Sequence, residues 1–243
     1  MNKAEITLQK EENNHFFDGI MSTDHFYAVV NGEDIPHPKY DLYYCESGVF
    51  PMVKFQEEIE DLNQYCYELI NTISKKLNHA ENKLEKQKIE KTRAYAEGFG
   101  LFTSYETEMS FQSEVYKWDW LNKTVNASTL TILLYSFIES RMNEVYRMFI
   151  EMRLIKKSAT PKNIAKLDVY LKALQSTGLC WNEIENQISF FKKARPVRNA
   201  FAHNDWDSLT SNLSEFKLIE FIEAIVNTFK IVDFIYLNLK QNF

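Results

Sequence analysis

Apolar residues in the second half of the chain recur with a helical period. Between residues 130 and 152 they fall at steps of three and four, at Leu130, Leu133, Leu134, Phe137, Ile138, Met142, Val145, Phe149 and Met152. This spacing lines one face of a helix with 3.6 residues per turn. The chain has only 6 glycines and 5 prolines in 243 residues, whereas sandwiches and barrels need many turns. The sequence therefore predicts an all-α fold built from long helices.

Similar patterns continue to residue 239 and predict an antiparallel helical bundle, assigned to residues 121–243, with short links between its helices. Helix limits follow from caps and breakers, because Asn and Ser favour helix starts, Pro favours the first turn and Gly favours the end. The predicted helices are Asn126 or Ser128 to about Lys157, Thr160 to Gly178, Trp181 to about His203, and Leu213 to Leu239.

Residues 51–120 are expected to form a helical hairpin and an aromatic connection. Apolar residues from Val53 to Leu77 predict an amphipathic helix. The charged stretch 78–97 fits either a solvated helix or the return of a helical hairpin, and Gly98 and Gly100 interrupt it. The aromatic residues of 99–120 either pack this connection onto the core or stack on a base.

Residues 1–50 are expected to form an N-terminal extension that is either irregular or a small β-hairpin. His25 to Val30 fits a strand that enters a turn at Asn31-Gly32, and Asp41 to Cys45 fits a second strand. Prolines 36 and 38 lie between these segments and disfavour a helix there.

Charge and cysteine content limit the classes of function. The net charge is −6, so any RNA contact is expected to be local and brief, as in an enzyme, and not spread over the whole surface. Cys45, Cys66 and Cys180 lie far apart and predict free thiols. The first residues, MNKAEITLQKEENN, lack an apolar signal segment, and no stretch is apolar enough to span a bilayer. We therefore expect a cytoplasmic protein without membrane contact.

Positive and proton-transferring side chains cluster within the third predicted bundle helix. The cluster consists of Lys192, Lys193, Arg195, Arg198, Asn199 and His203. On a helix, Arg195, Asn199 and His203 share one face and Arg198 lies beside it. Pro196 would strain such a helix, so a kink or a fresh helix start is expected near Arg195.

These side chains suit cleavage of RNA by its own 2′-hydroxyl group. Histidine exchanges protons near neutral pH, and arginine offers a planar fork to phosphate oxygens and to the charge that develops on them. Lys192 and Lys193 would add RNA contacts. Neither a metal ion nor another cofactor is required, and the remaining histidines lack the spacing of metal ligands.

The segment Arg198-Asn199-Ala-Phe-Ala-His203 resembles the Arg-x4-6-His signature of HEPN domains, in which Asn often follows Arg directly. The stretch Leu133 to Asn143 is similar to the HEPN helix that presents an acidic residue, here Glu139, to the motif. The resemblance covers about residues 124–241. It implies a HEPN-like bundle that forms a homodimer, with the two motifs meeting in a cleft between the protomers.

The resemblance also implies an activity, that of a metal-independent endoribonuclease leaving cyclic phosphate ends. Arg198 would bind the phosphate, His203 would shuttle the proton, Asn199 would hold the pair and Glu139 would orient one of them. Arg195 would be an auxiliary phosphate contact. HEPN proteins recur as toxins and phage-defence effectors, so an antitoxin or a defence-system partner is expected. Asp205 stands where toxins paired with nucleotidyltransferases tend to carry Tyr, which puts that form of neutralisation in doubt.

A non-catalytic helical interaction module is the alternative interpretation. His203 could cap a helix C-terminus, where a cation is favoured by the dipole, and Arg198 could pair with Glu139 or Asp205. A second basic group fits either a solvated helix face or an extension of an RNA track. It comprises Arg153, Lys156, Lys157, Lys162 and Lys166.

Overall fold

The computed structural model describes residues 15–17, 19–20, 27–30, 33–36, 42, 45–97, 102–157, 165–215 and 217–241. This part of the chain is helical apart from one short two-stranded ladder, so the predicted all-α class is confirmed. The helices are α1 Met52–Ala96, α2 Phe102–Trp120, α3 Ala127–Glu151, α4 Lys166–Gln175, α5 Trp181–Ala202, α6 Trp206–Leu213 and α7 Leu218–Gln241. In the described residues no helix is long and apolar enough to cross a membrane.

Helix α1 is one continuous element that includes the charged stretch after Leu77. Of the two interpretations offered for residues 78–97, the solvated helix therefore applies. The sequence from Met52 to Ala96 contains neither Gly nor Pro, so nothing in it interrupts the helical hydrogen bonds. Its first half buries Phe55 and Ile59 completely, and its second half runs beside α2, where Lys83 lies 3.8 Å from Glu114.

The aromatic connection predicted between residues 99 and 120 is instead the helix α2. No Gly or Pro occurs after Gly100 in this segment, so the aromatic side chains do not prevent helix formation. A π-helical segment, Leu121–Asn126, joins α2 directly to α3, so helical backbone continues past residue 120. The predicted caps Asn126 and Ser128 are wrong for this reason: Asn126 has helical backbone angles, and the Ser128 hydroxyl donates to the carbonyl oxygen of Thr124.

Helix α3 is the centre of the core. Its residues Leu130, Leu134, Ile138, Met142 and Phe149 are all fully buried, at the three- and four-residue steps read from the sequence. They pack with the apolar faces of α1, α5 and α7 in one hydrophobic cluster.

Helix α3 ends at Glu151 and not near Lys157 as predicted. Arg153 adopts a left-handed backbone with φ of 60°, and the amide of Leu154 then donates to the Phe149 carbonyl at 2.8 Å. This is a Schellman ending, a motif that usually carries Gly at the left-handed position. An arginine there gives no sequence signal for a helix end.

The remaining limits are partly as predicted. Gly178 follows the end of α4 with φ of 77°, and α5 spans almost the predicted range. The predicted start of α4 at Thr160 lies outside the described residues. Leu213 belongs to the short helix α6, so the last helix starts at Leu218.

A two-stranded antiparallel ladder pairs β1, Tyr27–Val30, with β2, Glu33–Pro36. The strand that pairs with β1 thus comes directly after the two residues 31–32, earlier than the predicted Asp41 to Cys45. Within that predicted strand, Leu42 lies in a bend and Cys45 has no strand pairing, while residues 41, 43 and 44 lie outside the described residues.

The N-terminal segment is attached to α7 by a buried carboxylate. Asp233 is 3% exposed, and its oxygens accept hydrogen bonds from the amides of Glu46 at 2.7 Å and Ser47 at 3.2 Å. The Cys45 thiol lies 3.6 Å from the same carboxylate. All three cysteines of the chain are free.

Candidate functional site

Helix α5 carries the predicted motif and runs unbroken from Trp181 through Pro196 to Ala202. The expected fresh helix start near Arg195 is therefore wrong. Pro196 has no backbone N–H and cannot donate to the carbonyl of residue 192, yet the helix continues through it. The uninterrupted helix fixes the angular positions of Arg195, Arg198, Asn199 and His203 relative to one another.

The end of α5 is a defined corner. His203 is the C-cap residue, and Asn204 adopts a left-handed backbone with φ of 56°. The amide of Asp205 donates to the Ala200 carbonyl at 2.9 Å, which completes a Schellman ending. The Asp205 carboxylate then accepts from the amide of Ser208 at 3.1 Å and caps α6, and hydrogen bonding by Ser208 lowers the pKa of Asp205.

Arg198, Asn199 and His203 all lie on the exposed side of α5, and Lys192 and Lys193 are exposed one to two turns earlier. At 100° per residue, Arg198 and His203 stand about 140° apart with Asn199 between them, and the helix rises roughly 7.5 Å from one to the other. Asn199 and His203 are four residues apart and share a stripe with Lys192. The motif therefore occupies one broad exposed arc, with its arginine and its histidine at opposite edges.

Arg198 points toward α3. One guanidinium nitrogen, Nη1, lies 3.8 Å from Oε2 of Glu139, and the guanidinium carbon lies 5.3 Å from the centre of the Tyr135 ring. The side chain of Arg198 is nevertheless 44% exposed. Glu139 and the ring face thus hold Arg198 in a fixed direction while its outer edge is free to meet a ligand.

A cavity of about 310 Å³ opens beside this pair, between α3, α4 and α5. Its lining consists of Ser136, Glu139, Ser140, Asn143, Lys166, Tyr170 and Arg198. The Tyr170 hydroxyl donates to Oδ1 of Asn143 at 3.0 Å. Burial, followed by the nearby Glu139 carboxylate, raises the pKa of Tyr170, so its phenol stays protonated at neutral pH. The lining therefore combines two cations, Lys166 and Arg198, with the Glu139 carboxylate and several hydroxyl and amide groups.

Arg195 is engaged in the interior. Its Nη2 lies 2.8 Å from Oδ1 of Asp168, whose side chain is only 6% exposed. Burial lowers the pKa of Arg195, but the nearby Tyr135 hydroxyl and the Asp168 carboxylate outweigh burial and raise it. Tyr135, which is fully buried, thus lies between Arg195 and Arg198. Burial raises the pKa of Tyr135, so its hydroxyl also stays neutral.

The imidazole of His203 is exposed at the helix end. Among the residues that the structure describes, no side chain forms a hydrogen bond or an ion pair with it. Within one chain, then, the arginine of the motif faces the α3 cavity and the histidine faces solvent. Closing the two around one phosphate requires a ligand or a second chain on the exposed arc.

Trp206, three residues after His203 in the chain, belongs to a cluster of aromatic side chains. The Trp206 ring lies 5.5 Å from the Trp120 ring and 6.0 Å from the Phe201 ring, measured between centroids. Trp120 is 48% exposed and Trp206 is 37% exposed. The sequence placed Trp120 in an aromatic segment, but nothing in it linked that residue to the motif.

Three other residues at the site escaped the sequence interpretation. Tyr135 lies one turn before Glu139 on the same face of α3, a spacing that could have suggested it. Asp168 and Tyr170 belong to α4, and no local pattern ties them to residues 195–198. Within the described residues, no group of three His, Cys, Asp or Glu side chains is arranged to hold a metal ion.

Comparisons of the chain with protein-family models, with curated proteins and with solved structures found no match.

Proposed function

We propose that this protein is a metal-independent endoribonuclease of the HEPN type that acts as a homodimer. The observation that carries the proposal is the exposed arc of α5. It presents Arg198, already oriented by Glu139, together with Asn199 and an exposed His203. These are the groups that a phosphoryl transfer without metal needs: a fixed cation, a polar positioning group and a proton carrier.

In the proposed reaction the 2′-oxygen of a ribose attacks the adjacent phosphorus, and the bond between phosphorus and the 5′-oxygen breaks. One His203 accepts the proton of the 2′-hydroxyl. A second group donates a proton to the leaving 5′-oxygen. Arg198 holds the non-bridging oxygens as their negative charge increases. The products are a 2′,3′-cyclic phosphate and a free 5′-hydroxyl.

A second copy of the chain supplies the missing groups. A single motif has one imidazole, whereas the reaction uses a base and an acid, and Arg198 and His203 stand about 140° apart on one helix. If two α5 helices face each other, His203 of one chain can approach the Arg198 cavity of its partner. The exposed arc would then become the wall of the cleft.

The preferred substrate is single-stranded or looped RNA. Trp206, three residues after His203 in the chain, and its neighbour Trp120 present partly exposed rings, and such rings stack on unpaired bases but not on bases inside a duplex. The biological setting inferred from the family resemblance is that of a toxin or phage-defence effector, held in check by an antitoxin or a defence-system partner.

The test is incubation of purified protein with single-stranded RNA in EDTA. Wild type is expected to cleave, and Arg198→Ala and His203→Ala are each expected to lose at least about 100-fold in rate, as for removal of an essential acid–base or charge-stabilising group. Arg93→Ala and His79→Ala are matched controls, because both residues are exposed on α1, a helix that carries no residue of the motif. Intact RNA in every reaction, or equal cleavage by wild type and the two motif variants, would show that the proposal is wrong.

A non-catalytic interaction module is the second candidate, and a specific observation favours it. Arg195 and Arg198 both form ion pairs with neighbouring helices, through Asp168 and Glu139, as purely structural arginines would. The module predicts that Arg198→Ala destabilises the fold and that a stable partner co-purifies without RNA turnover. The nuclease predicts loss of cleavage with the stability of the fold nearly unchanged.

A further inference from the structure

A second cavity, of about 610 Å³, lies between the C-terminal ends of α3 and α4. It is formed by the residues Arg153 to Lys157 that follow α3 and by the last turn of α4 with the two residues after it. Its described lining is Arg153, Leu154, Ile155, Lys156, Lys157, Lys172, Ala173, Ser176 and Thr177. None of these residues belongs to the α5 motif or to the cavity beside Arg198.

The charge of this cavity is one-sided. Arg153, Lys156, Lys157 and Lys172 supply four cations, and the described lining includes no carboxylate. Among the described residues none of these four side chains forms an ion pair. Cations next to helix C-termini are favoured by the helix dipole, which is the simpler explanation for their presence. Each helix end, however, carries only about half a negative charge, so two ends balance about one of the four cations.

The walls of the cavity are held in place. Leu154 and Arg153 are hydrogen bonded back to α3, through the carbonyls of Phe149 at 2.8 Å and Ile150 at 2.9 Å. Ile155 is buried in the hydrophobic core and so fixes the position of the segment that follows α3. The positions of the backbone that carries Arg153 and Lys156 therefore do not depend on a ligand.

The opposite wall offers acceptors. The hydroxyl of Ser176 donates to the Ala173 carbonyl at 2.6 Å, and that of Thr177 donates to the Leu174 carbonyl at 2.7 Å. Because their protons are already used, the two oxygens can only accept further bonds. The Thr177 oxygen already accepts from the amide of Leu179 at 3.3 Å, so it has one lone pair left, whereas the Ser176 oxygen is open to donors on a ligand, such as sugar hydroxyls or a base amino group. Leu154 and Ala173 add an apolar surface.

We propose that this cavity binds the polyphosphate of a nucleotide-sized ligand. The cations would hold the phosphates, and the hydroxyl oxygens and the apolar wall would contact the sugar and base. The volume lies in the range of cavities that bind small molecules. A free nucleotide and the phosphorylated end of an RNA strand share this chemistry. The site is independent of the nuclease proposal, because it uses no residue of the α5 arc.

The test is calorimetric titration of the wild-type chain with inorganic triphosphate, ATP and adenosine in buffer of low ionic strength. ATP and triphosphate are expected to bind with Kd below about 1 mM, and adenosine is not. Tighter binding of a 5′-phosphorylated RNA oligonucleotide than of both ATP and its 5′-hydroxyl counterpart would identify the strand end as the source, and tighter binding of ATP than of both RNA oligonucleotides would identify the free nucleotide. If no phosphorylated probe binds more tightly than its unphosphorylated counterpart, the site does not exist.

Paired variants separate this site from general charge attraction. Lys156→Ala with Lys157→Ala is expected to weaken ATP binding by about 10-fold or more, and Lys172→Ala by several-fold, since each removes charge-assisted contacts. Lys75→Ala with Lys76→Ala is the matched control, because it removes the same charge from two adjacent exposed lysines of α1. An equal loss of affinity in the control pair, or unchanged affinity in the cavity variants, would overturn the proposal. All variants alter exposed side chains, and circular dichroism confirms that each is folded.

Discussion

The two arginines of α5, Arg195 and Arg198, are expected to have different roles, and replacing Arg195 by alanine tests this difference. Arg195 contacts the buried carboxylate of Asp168 at 2.8 Å and so connects α5 to α4. Arg198, one turn later, lies 3.8 Å from Glu139, and its side chain is 44% exposed. We expect Arg195→Ala to act mainly on stability and Arg198→Ala mainly on activity.

The expected loss of unfolding free energy follows from how deeply the Arg195–Asp168 and Arg198–Glu139 ion pairs are buried. Removing one partner of a buried ion pair costs about 3–5 kcal/mol, because the other charge remains buried without compensation. The Asp168 side chain is 6% exposed but that of Arg195 is 28% exposed, so water can partly replace the guanidinium and the expected loss is about 2 kcal/mol. In the Arg198 pair both side chains reach solvent, Arg198 at 44% exposed and Glu139 at 25%, and the separation is long at 3.8 Å, so the expected loss is below about 1 kcal/mol.

The assay is equilibrium unfolding in urea, followed by far-ultraviolet circular dichroism, with the free energies compared at a common slope. The double variant Arg195→Ala with Asp168→Ala is expected to lose less than the sum of the single variants, by at least about 1 kcal/mol, because it leaves no unpaired buried charge. Arg198→Ala serves as the matched control on the same helix.

The reasoning fails if Arg195→Ala changes the free energy of unfolding by less than about 0.5 kcal/mol, a value typical of surface substitutions. It also fails if the effects of Arg195→Ala and Asp168→Ala simply add, or if Arg198→Ala proves the more destabilising of the two arginine variants.

Three further predictions concern other parts of the chain. Burial raises the pKa of the Cys66 thiol from 9.0 to about 12, so Cys66 favours folding below pH 9 and loses that contribution as pH rises toward 12. At pH 8 a thiol reagent should therefore modify the half-buried Cys180 before Cys66. Equal rates of modification for the two cysteines would contradict this. Hydrogen bonds from Ser208 lower the pKa of Asp205 from 3.8, so its cap on α6 is fully present above pH 3.8 and is lost as pH falls through the lowered pKa. The difference in Tm between wild type and Asp205→Ala should be measurable at pH 7 and should shrink below pH 4. A difference in Tm that does not depend on pH would count against this cap. Trp206→Ala should weaken binding of single-stranded RNA about 5- to 100-fold, measured by fluorescence anisotropy, as expected for loss of one stacked base, and should leave binding of duplex RNA unchanged.

The helices were predictable where burial follows a local period. The buried residues of α3 fall at the positions that its apolar spacing gives, and the limits of α5 follow from Trp181 and from the polar residues after His203. The continuity of α2 with α3 was not predictable, because Ser128 and Asn126 look like caps when read alone. Whether such a side chain caps a helix or donates back to a carbonyl is decided by the helix that precedes it.

The candidate site, like the helices, was predictable from the sequence only in part. The arc of Arg198, Asn199 and His203 follows from their spacing on one helix, and the proximity of Glu139 to Arg198 accords with the interpretation of α3 as the facing helix. The pairing of Arg195 with Asp168 depends on how α4 packs against α5, and no sequence period connects residues 27 positions apart. Likewise, the left-handed Arg153 and Asn204 close two helices at positions where glycine is the usual signal.

The most direct test of the central claim compares two RNA oligonucleotides that differ only in a 2′-hydroxyl at the cleavage position, incubated with the wild-type chain in EDTA. If Arg198 and His203 promote attack by that hydroxyl, the ribose substrate is cut to a 2′,3′-cyclic phosphate end, the deoxyribose substrate stays intact, and Arg198→Ala removes the cleavage. Cleavage of both substrates at equal rates, or cleavage that EDTA abolishes and Arg198→Ala leaves unchanged, would contradict the account.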